Sequence, residues 1–112
     1  MNIRKWHIYV ADLNPRRGTE PGKVRPVIVV QTDLLNGVHP STVICPLTTN
    51  VHLTARFLRV HLAAGEAGVS KPSDIMVDQI RAIDNRRLVR SLGRISSKNQ
   101  GRLAESIRIL LS

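Results

Sequence analysis

Over most of the chain apolar residues alternate with polar ones or form short unbroken runs, and only near the end does the period lengthen to that of a helix. Trp6, Ile8 and Val10 alternate with His7, Tyr9 and Ala11, which predicts a first strand over residues 6–13, ended by Asn14-Pro15. A second strand is expected over residues 24–31. It is apolar at every position from Val27 to Val30, the pattern of a strand buried on both faces or closed into a small barrel. Between the two lies a polar loop, Arg16 to Lys23, in which Gly18 and Gly22 allow turns. Residues 32–40 read as a connection around Asn36-Gly37, with Leu34 and Leu35 expected to pack against the body of the protein. A third strand is predicted over residues 41–47, ending in Pro46, with Thr48-Thr49-Asn50 at its exit. A short fourth strand is expected over 57–61, a loop over 63–71, one or two short strands within 74–84, and a last strand over 88–95 containing Gly93. Leu103, Ile107, Leu110 and Leu111 then fall at the i, i+4, i+7 and i+8 positions of one helical face. The pattern predicts a helix over 97–111, with Ser97 and Gln100 at the spacing of a capping box and Arg102, Glu105 and Arg108 on the outer face. The expected fold is therefore mainly β with a C-terminal α-helix packed on a small, partly open β-barrel.

Length and charge narrow the class. A chain of 112 residues suffices for a single domain over 1–112, without repeats or linkers. Seventeen Lys and Arg stand against eight Asp and Glu, a net charge of +9. The excess is uneven: +4 over residues 1–30, −1 over 31–80 and +6 over 81–112. Such a surface attracts polyanions and acidic proteins. Trp6, Tyr9 and Phe57 are the three aromatic residues, too few for a sheet that binds RNA by stacking bases. The one cysteine, Cys45, lies in the apolar run Val43-Ile44-Cys45 and reads as a core thiol. The first residues mix charge with apolar groups, unlike a secretory signal, and no apolar run approaches the roughly 20 residues that span a bilayer. The cytoplasm is the expected location, with no membrane partner.

The residue types exclude several chemistries. His7, His39, His52 and His61 lack ligand spacing and have no accompanying cysteine pair or carboxylate cluster, so neither a metal centre nor another cofactor is expected. No nucleophile elbow, Walker sequence or dinucleotide fingerprint occurs. Two residues remain. Arg25 sits where the polar loop becomes strand, beside Lys23, with Pro26 holding it extended. A guanidinium so placed suits a phosphate, which it grips through two parallel hydrogen bonds. Thr48 stands at the exit of the next apolar strand, and in an antiparallel barrel the two residues can share a rim. A solvated surface loop and an ordinary turn threonine remain alternative readings at this level.

Four segments together resemble the MazF/PemK family of toxin endoribonucleases from type II toxin–antitoxin systems. They are Ile8-Tyr9-Val10-Ala11-Asp12-Leu13-Asn14-Pro15, the run Gly18-Thr19-Glu20 through Lys23-Val24-Arg25-Pro26-Val27, Pro46-Leu47-Thr48-Thr49, and Asp78-Gln79-Ile80-Arg81-Ala82-Ile83-Asp84. Leu88, Gly93 and the terminal helix also fit, so the likeness runs nearly end to end. One departure is Trp6-His7, where members commonly have Gly-Asp. The resemblance implies an SH3-like barrel of the CcdB/MazF/PemK kind and a homodimer that cuts single-stranded RNA at short sequences without a metal. In that chemistry the ribose 2′-OH attacks the adjacent phosphate, leaving 2′,3′-cyclic phosphate and 5′-OH ends. Carried onto this chain, the catalytic pair is Arg25 and Thr48. The general base is unassigned, with His52 a candidate only by nearness in sequence.

RNA selection is expected in the two flanking loops: Glu20, Asn50 and Gln79 to read base edges, Lys23 and Arg56 to hold phosphates, with Thr19 and Thr49 beside them. The positive charge also suits an antitoxin whose acidic, disordered tail folds over the site. Two alternatives are a CcdB-like toxin that binds DNA gyrase without catalysis and a basic barrel that binds RNA without cutting it.

Overall fold

A computed structural model describes residues 1–15, 18–19, 22–55 and 57–112. Among these residues seven strands and one long helix follow in order: β1 His7–Asp12, β2 Val24–Val29, β3 Ser41–Thr48, β4 Arg59–Leu62, β5 Ser73–Met76, β6 Arg81–Asp84, β7 Leu88–Arg94 and α1 Ser97–Leu111. All pairings are antiparallel, in the order β4-β5-β3-β2-β1-β7, with β6 also joined to β3. The strands thus form a curved, partly open barrel: among the described residues no pairing joins β7 back to β4. β3 is the hub. Its residues 41–44 pair with β6, and Leu47 and Thr48 pair with β5. Its other edge pairs with β2. Pairing with β5 carries β3 past Pro46, so Thr48 is the last residue of the strand rather than a residue beyond it.

The strand alternation feeds two cores. Ile28, Cys45 and Leu47 join one cluster, whereas Val27, Val29 and Ile44 join the other. β2 is therefore buried on both faces, as its unbroken apolar run predicts. β1 behaves the same way, which its alternating pattern does not predict. Ile8 lies in the first cluster, Tyr9 and Ala11 in the second, and the ladder to β7 is irregular between Ile8 and Tyr9. Tyr9 is buried because its hydroxyl is satisfied: it donates to the Asn2 carbonyl and accepts from the Arg4 N–H, both at 2.8 Å. Cys45 is a core thiol, fully buried, and burial pushes it up to about 12.

α1 spans the residues its period predicts, but its cap lies one residue earlier. The Ser96 hydroxyl, not that of Ser97, accepts from the Asn99 N–H at 3.2 Å. Gln100 donates to the Ile95 carbonyl instead of closing a capping box. Glu66, from a short 3₁₀ turn over Glu66–Gly68, receives the Ser96 N–H and the Asn99 side-chain amide, a carboxylate at the positive end of the helix. That turn lies on β7 where Gly93 has no side chain; a Cβ there would stand 3.0 Å from the Ala67 carbonyl carbon. Only the first part of the apolar stripe is covered: Leu103 is fully buried, Ile107 half-buried, and Leu111 69% exposed. Leu34 and Leu35 also project, against expectation, with Leu34 at 85% exposure. The 32–39 turns close on their own backbone hydrogen bonds and lie away from both cores.

Candidate active site

Register alone brings Arg25 and Thr48 together. Val27 stands opposite Pro46 and Ile28 opposite Cys45; continuing that ladder sets Arg25 opposite Thr48. The Arg25 side chain is half-buried and braced by two backbone carbonyls. Its Nε donates to Gly22 at 3.2 Å and its Nη1 to Leu47 at 3.1 Å. The second contact ties the guanidinium to the residue just before Thr48, so the two groups are held by one strand end. A cavity of about 210 Å³ opens here, lined by Lys23, Arg25, Leu47, Thr48, Thr49 and Ser73 among others. A second cavity, of about 450 Å³, adjoins it through Lys23 and Arg25 and adds Asn14, Thr19, Gly22, Met76 and Gln79. Arg25 therefore stands in the wall common to both.

The approach loop is closed at its base. The Lys23 N–H donates to the Asn14 side-chain oxygen at 2.6 Å, and the Lys23 carbonyl accepts from Leu13 N–H at 3.0 Å. Arg87 reaches across to the carbonyls of Asp12 and Asn14, at 3.0 and 2.7 Å. Lys23 is held with φ +57°, a left-handed conformation that favours glycine. Strain of this kind, on a cationic residue at a cleft, is the sort that persists at functional sites. On the other side, Thr48 Oγ1 accepts from the Asn50 N–H at 3.1 Å, so the hydroxyl is oriented by its own chain.

The expected site residues distribute as follows. Arg25, Thr48, Lys23 and Thr49 line the smaller cavity, and Thr19 and Gln79 the adjoining one. Asn50 is exposed, lies on the segment leaving Thr48, and lines neither cavity. Glu20 and Arg56 lie outside the described residues. His52 lines a different and larger cleft, about 630 Å³, between residues 52–55 and 57–61 on one side and α1 on the other. Its backbone N–H donates to Asp74 at 2.7 Å, and it does not line the cavity that holds Thr48. Sequence reasoning missed Ser73, Asn14 and the Leu47 carbonyl. Ser73 enters through the β5–β3 ladder, a pairing with no local signal, whereas Asn14 precedes the predicted turn and was legible only as a strand stop. Among the described residues no group of three or more His, Cys, Asp or Glu is arranged to hold a metal ion. No helix among them is long and apolar enough to cross a membrane.

Comparison with known proteins shows the family. Residues 4–111 match the family described as PemK-like, MazF-like toxins of type II toxin–antitoxin systems. Endoribonuclease EndoA of Bacillus subtilis (strain 168) is 30% identical over 112 residues, covering 100% of this chain and 97% of the relative. A crystal structure of MazF from Deinococcus radiodurans superposes with a TM-score of 0.84 at 25% identity, covering 99% of this chain and 97% of that one. A MazE–MazF structure from the same organism gives 0.79 at 25% identity, covering 99% and 96%.

Proposed function

The chain belongs to the family of PemK-like, MazF-like toxins of type II toxin–antitoxin systems, and on that premise we propose that it is an endoribonuclease that cuts single-stranded RNA at the Arg25–Thr48 rim. The toxin acts as one domain over residues 1–112, in the cytoplasm and as a homodimer. The observation that carries the reading is the guanidinium of Arg25, braced by two carbonyls in the wall shared by two cavities, with Thr48 lining the smaller of them beside it.

In the reaction, the ribose 2′-oxygen attacks the adjacent phosphorus as the 2′-OH loses its proton to a base outside this pair. A 2′-O–P bond forms, the P–O5′ bond breaks, and the 5′-oxygen leaves with a proton as a 5′-OH. The phosphorane gains negative charge on its equatorial oxygens. Arg25, always protonated, meets that charge with fixed N–H donors that need no reorganisation. Thr48 donates its O–H to a phosphate oxygen, its own oxygen being occupied by the Asn50 N–H. No protein-bound metal enters this scheme. Lys23 holds a neighbouring phosphate; Thr19, Thr49 and Gln79 contact the bases that pass the rim, with Glu20, Asn50 and Arg56 on the flanking loops.

The regulatory partner follows from charge. A net +9 surface suits an antitoxin with an acidic tail that competes with RNA for the rim. The test is incubation of the purified protein with a long mixed-sequence RNA in EDTA, mapping new ends and their chemistry. The expected result is cuts at one short sequence, with 5′-OH and 2′,3′-cyclic phosphate ends, stopped by excess acidic-tailed antitoxin. A folded protein that leaves every RNA intact overturns the nuclease reading in favour of a non-cleaving RNA binder or a gyrase-directed toxin.

A further inference from the structure

Asp74 is fully buried in β5, directly opposite Thr48 in the ladder. A fully buried carboxylate left without partners would carry a large desolvation cost. The carboxylate instead gathers donors from one region. Oδ2 accepts from the His52 N–H at 2.7 Å and from Arg59 Nη1 at 3.3 Å, and Oδ1 lies 3.2 Å from His61 Nδ1. The same Arg59 Nη1 donates to the Asn50 carbonyl at 3.1 Å. The Asn50 N–H, in turn, is the donor that orients the Thr48 hydroxyl. A chain of contacts thus runs from a buried charge through Arg59 to the Asn50 carbonyl, and from the N–H of the same residue to Oγ1 of Thr48.

We propose that Asp74, acting through Arg59, is a positioning residue for cleavage: it pins the backbone from Asn50 to His52 and so fixes both the Thr48 hydroxyl and the side chains that follow it on the base-reading loop. This rests on the assignment of Thr48 to the cleavage site. The peptide groups of Asn50 and His52 are clamped while their side chains are exposed, the arrangement of a loop whose backbone is held rigid and whose side chains face a ligand. A displacement of about 1 Å in such a support is enough to lower a rate by one to two orders of magnitude.

Two variants and two readouts test it. Asp74→Asn keeps the size of the side chain, and Arg59→Met breaks the link to Asn50 while leaving the Asp74–His52 contact and an apolar side chain of similar length at a position that is 20% exposed. The first readout is amide hydrogen exchange. Exchange over residues 49–55 should rise by about tenfold or more in either variant, with the amides of β1 to β3 unchanged. The second is the map of cut sites on a mixed-sequence RNA. The preferred sequence should lose about tenfold in kcat/KM while near-matching sequences lose less, so that discrimination narrows. A purely structural role would lower the folded fraction and leave the ranking of cut sites intact, and that outcome overturns the proposal. Unchanged exchange over 49–55 also overturns it, even if the wild type cuts no RNA, in which case the nuclease reading falls separately.

Discussion

Among the described residues the cleft against α1 is larger than the cavity at the Arg25–Thr48 rim, yet the smaller of the two is the better built. The large one, about 630 Å³, lies between residues 52–55 and 57–61 and α1, and its lining includes Arg59, Lys98 and Arg102 together with Asp74 and Glu105. The rim cavity is about 210 Å³. β5 divides them: successive side chains of a strand face opposite ways, and Ser73 lines the rim cavity while Asp74 lines the large cleft. The difference lies in what holds the polar groups. Lys98 and Arg102 are exposed on a helix surface, whereas Arg25 is braced by the carbonyls of Gly22 and Leu47 and Thr48 is oriented by its own chain. Fixed donors, rather than volume, are what stabilise charge in a transition state. The large cleft contributes to the rim from behind, through the Asp74–Arg59 link.

That contrast can be broken in steps. Replacing Arg25 by Lys keeps the charge and removes the planar fork; cleavage should fall by about a hundredfold, in kcat more than in KM, with the fold unchanged. Single-turnover rates on a defined RNA would show it. On the opposite wall, Leu103→Ala should destabilise the fold by about 2–5 kcal/mol in denaturant unfolding, because Leu103 is fully buried between α1 and the sheet. Cleavage per folded molecule should stay near wild type. Thr48→Val preserves shape and removes the hydroxyl, and should lower kcat by about tenfold to a hundredfold; an RNA binder that does not cut would be indifferent to it. Lys23→Gly relieves a left-handed backbone and should gain up to about 1 kcal/mol of stability while cleavage falls.

The smallest effect concerns pH. Burial, then Arg4 and Arg94, hold the His7 imidazole below its ordinary 6.5. The unfolded chain therefore takes up that proton first as pH falls. The contribution is complete above about pH 6.5 and is lost as pH drops through the folded value. Thermal unfolding followed across about pH 5 to 8 should show that limb, flattened in His7→Gln.

Much of this was legible in the sequence, and the failures have physical causes. The unbroken run Val27–Val30 gave away a strand between two cores, and the Leu103–Ile107 spacing located α1 to the residue. Periodicity misjudged β1, where Tyr9 is buried only because Asn2 and Arg4 satisfy its hydroxyl. It misjudged Leu34, Leu35 and Leu111 too, since an apolar side chain carries no mark of whether a neighbour exists to cover it. At the site, Arg25 and Thr48 stood out as strand-end residues, and the family resemblance is what joined them as a pair. Ser73 and Asp74 did not stand out, because their relation to Thr48 comes from a ladder between strands about 25 residues apart.

The central claim is that cleavage belongs to the rim and not to the larger cleft. The most direct measurement sets Arg25→Ala beside Arg102→Ala in single-turnover cleavage of the same RNA in EDTA. The account predicts a loss of about a hundredfold to a thousandfold for Arg25→Ala and a rate within about twofold of wild type for Arg102→Ala. Cleavage that survives loss of Arg25, or that disappears with Arg102 while both variants remain folded, would contradict it.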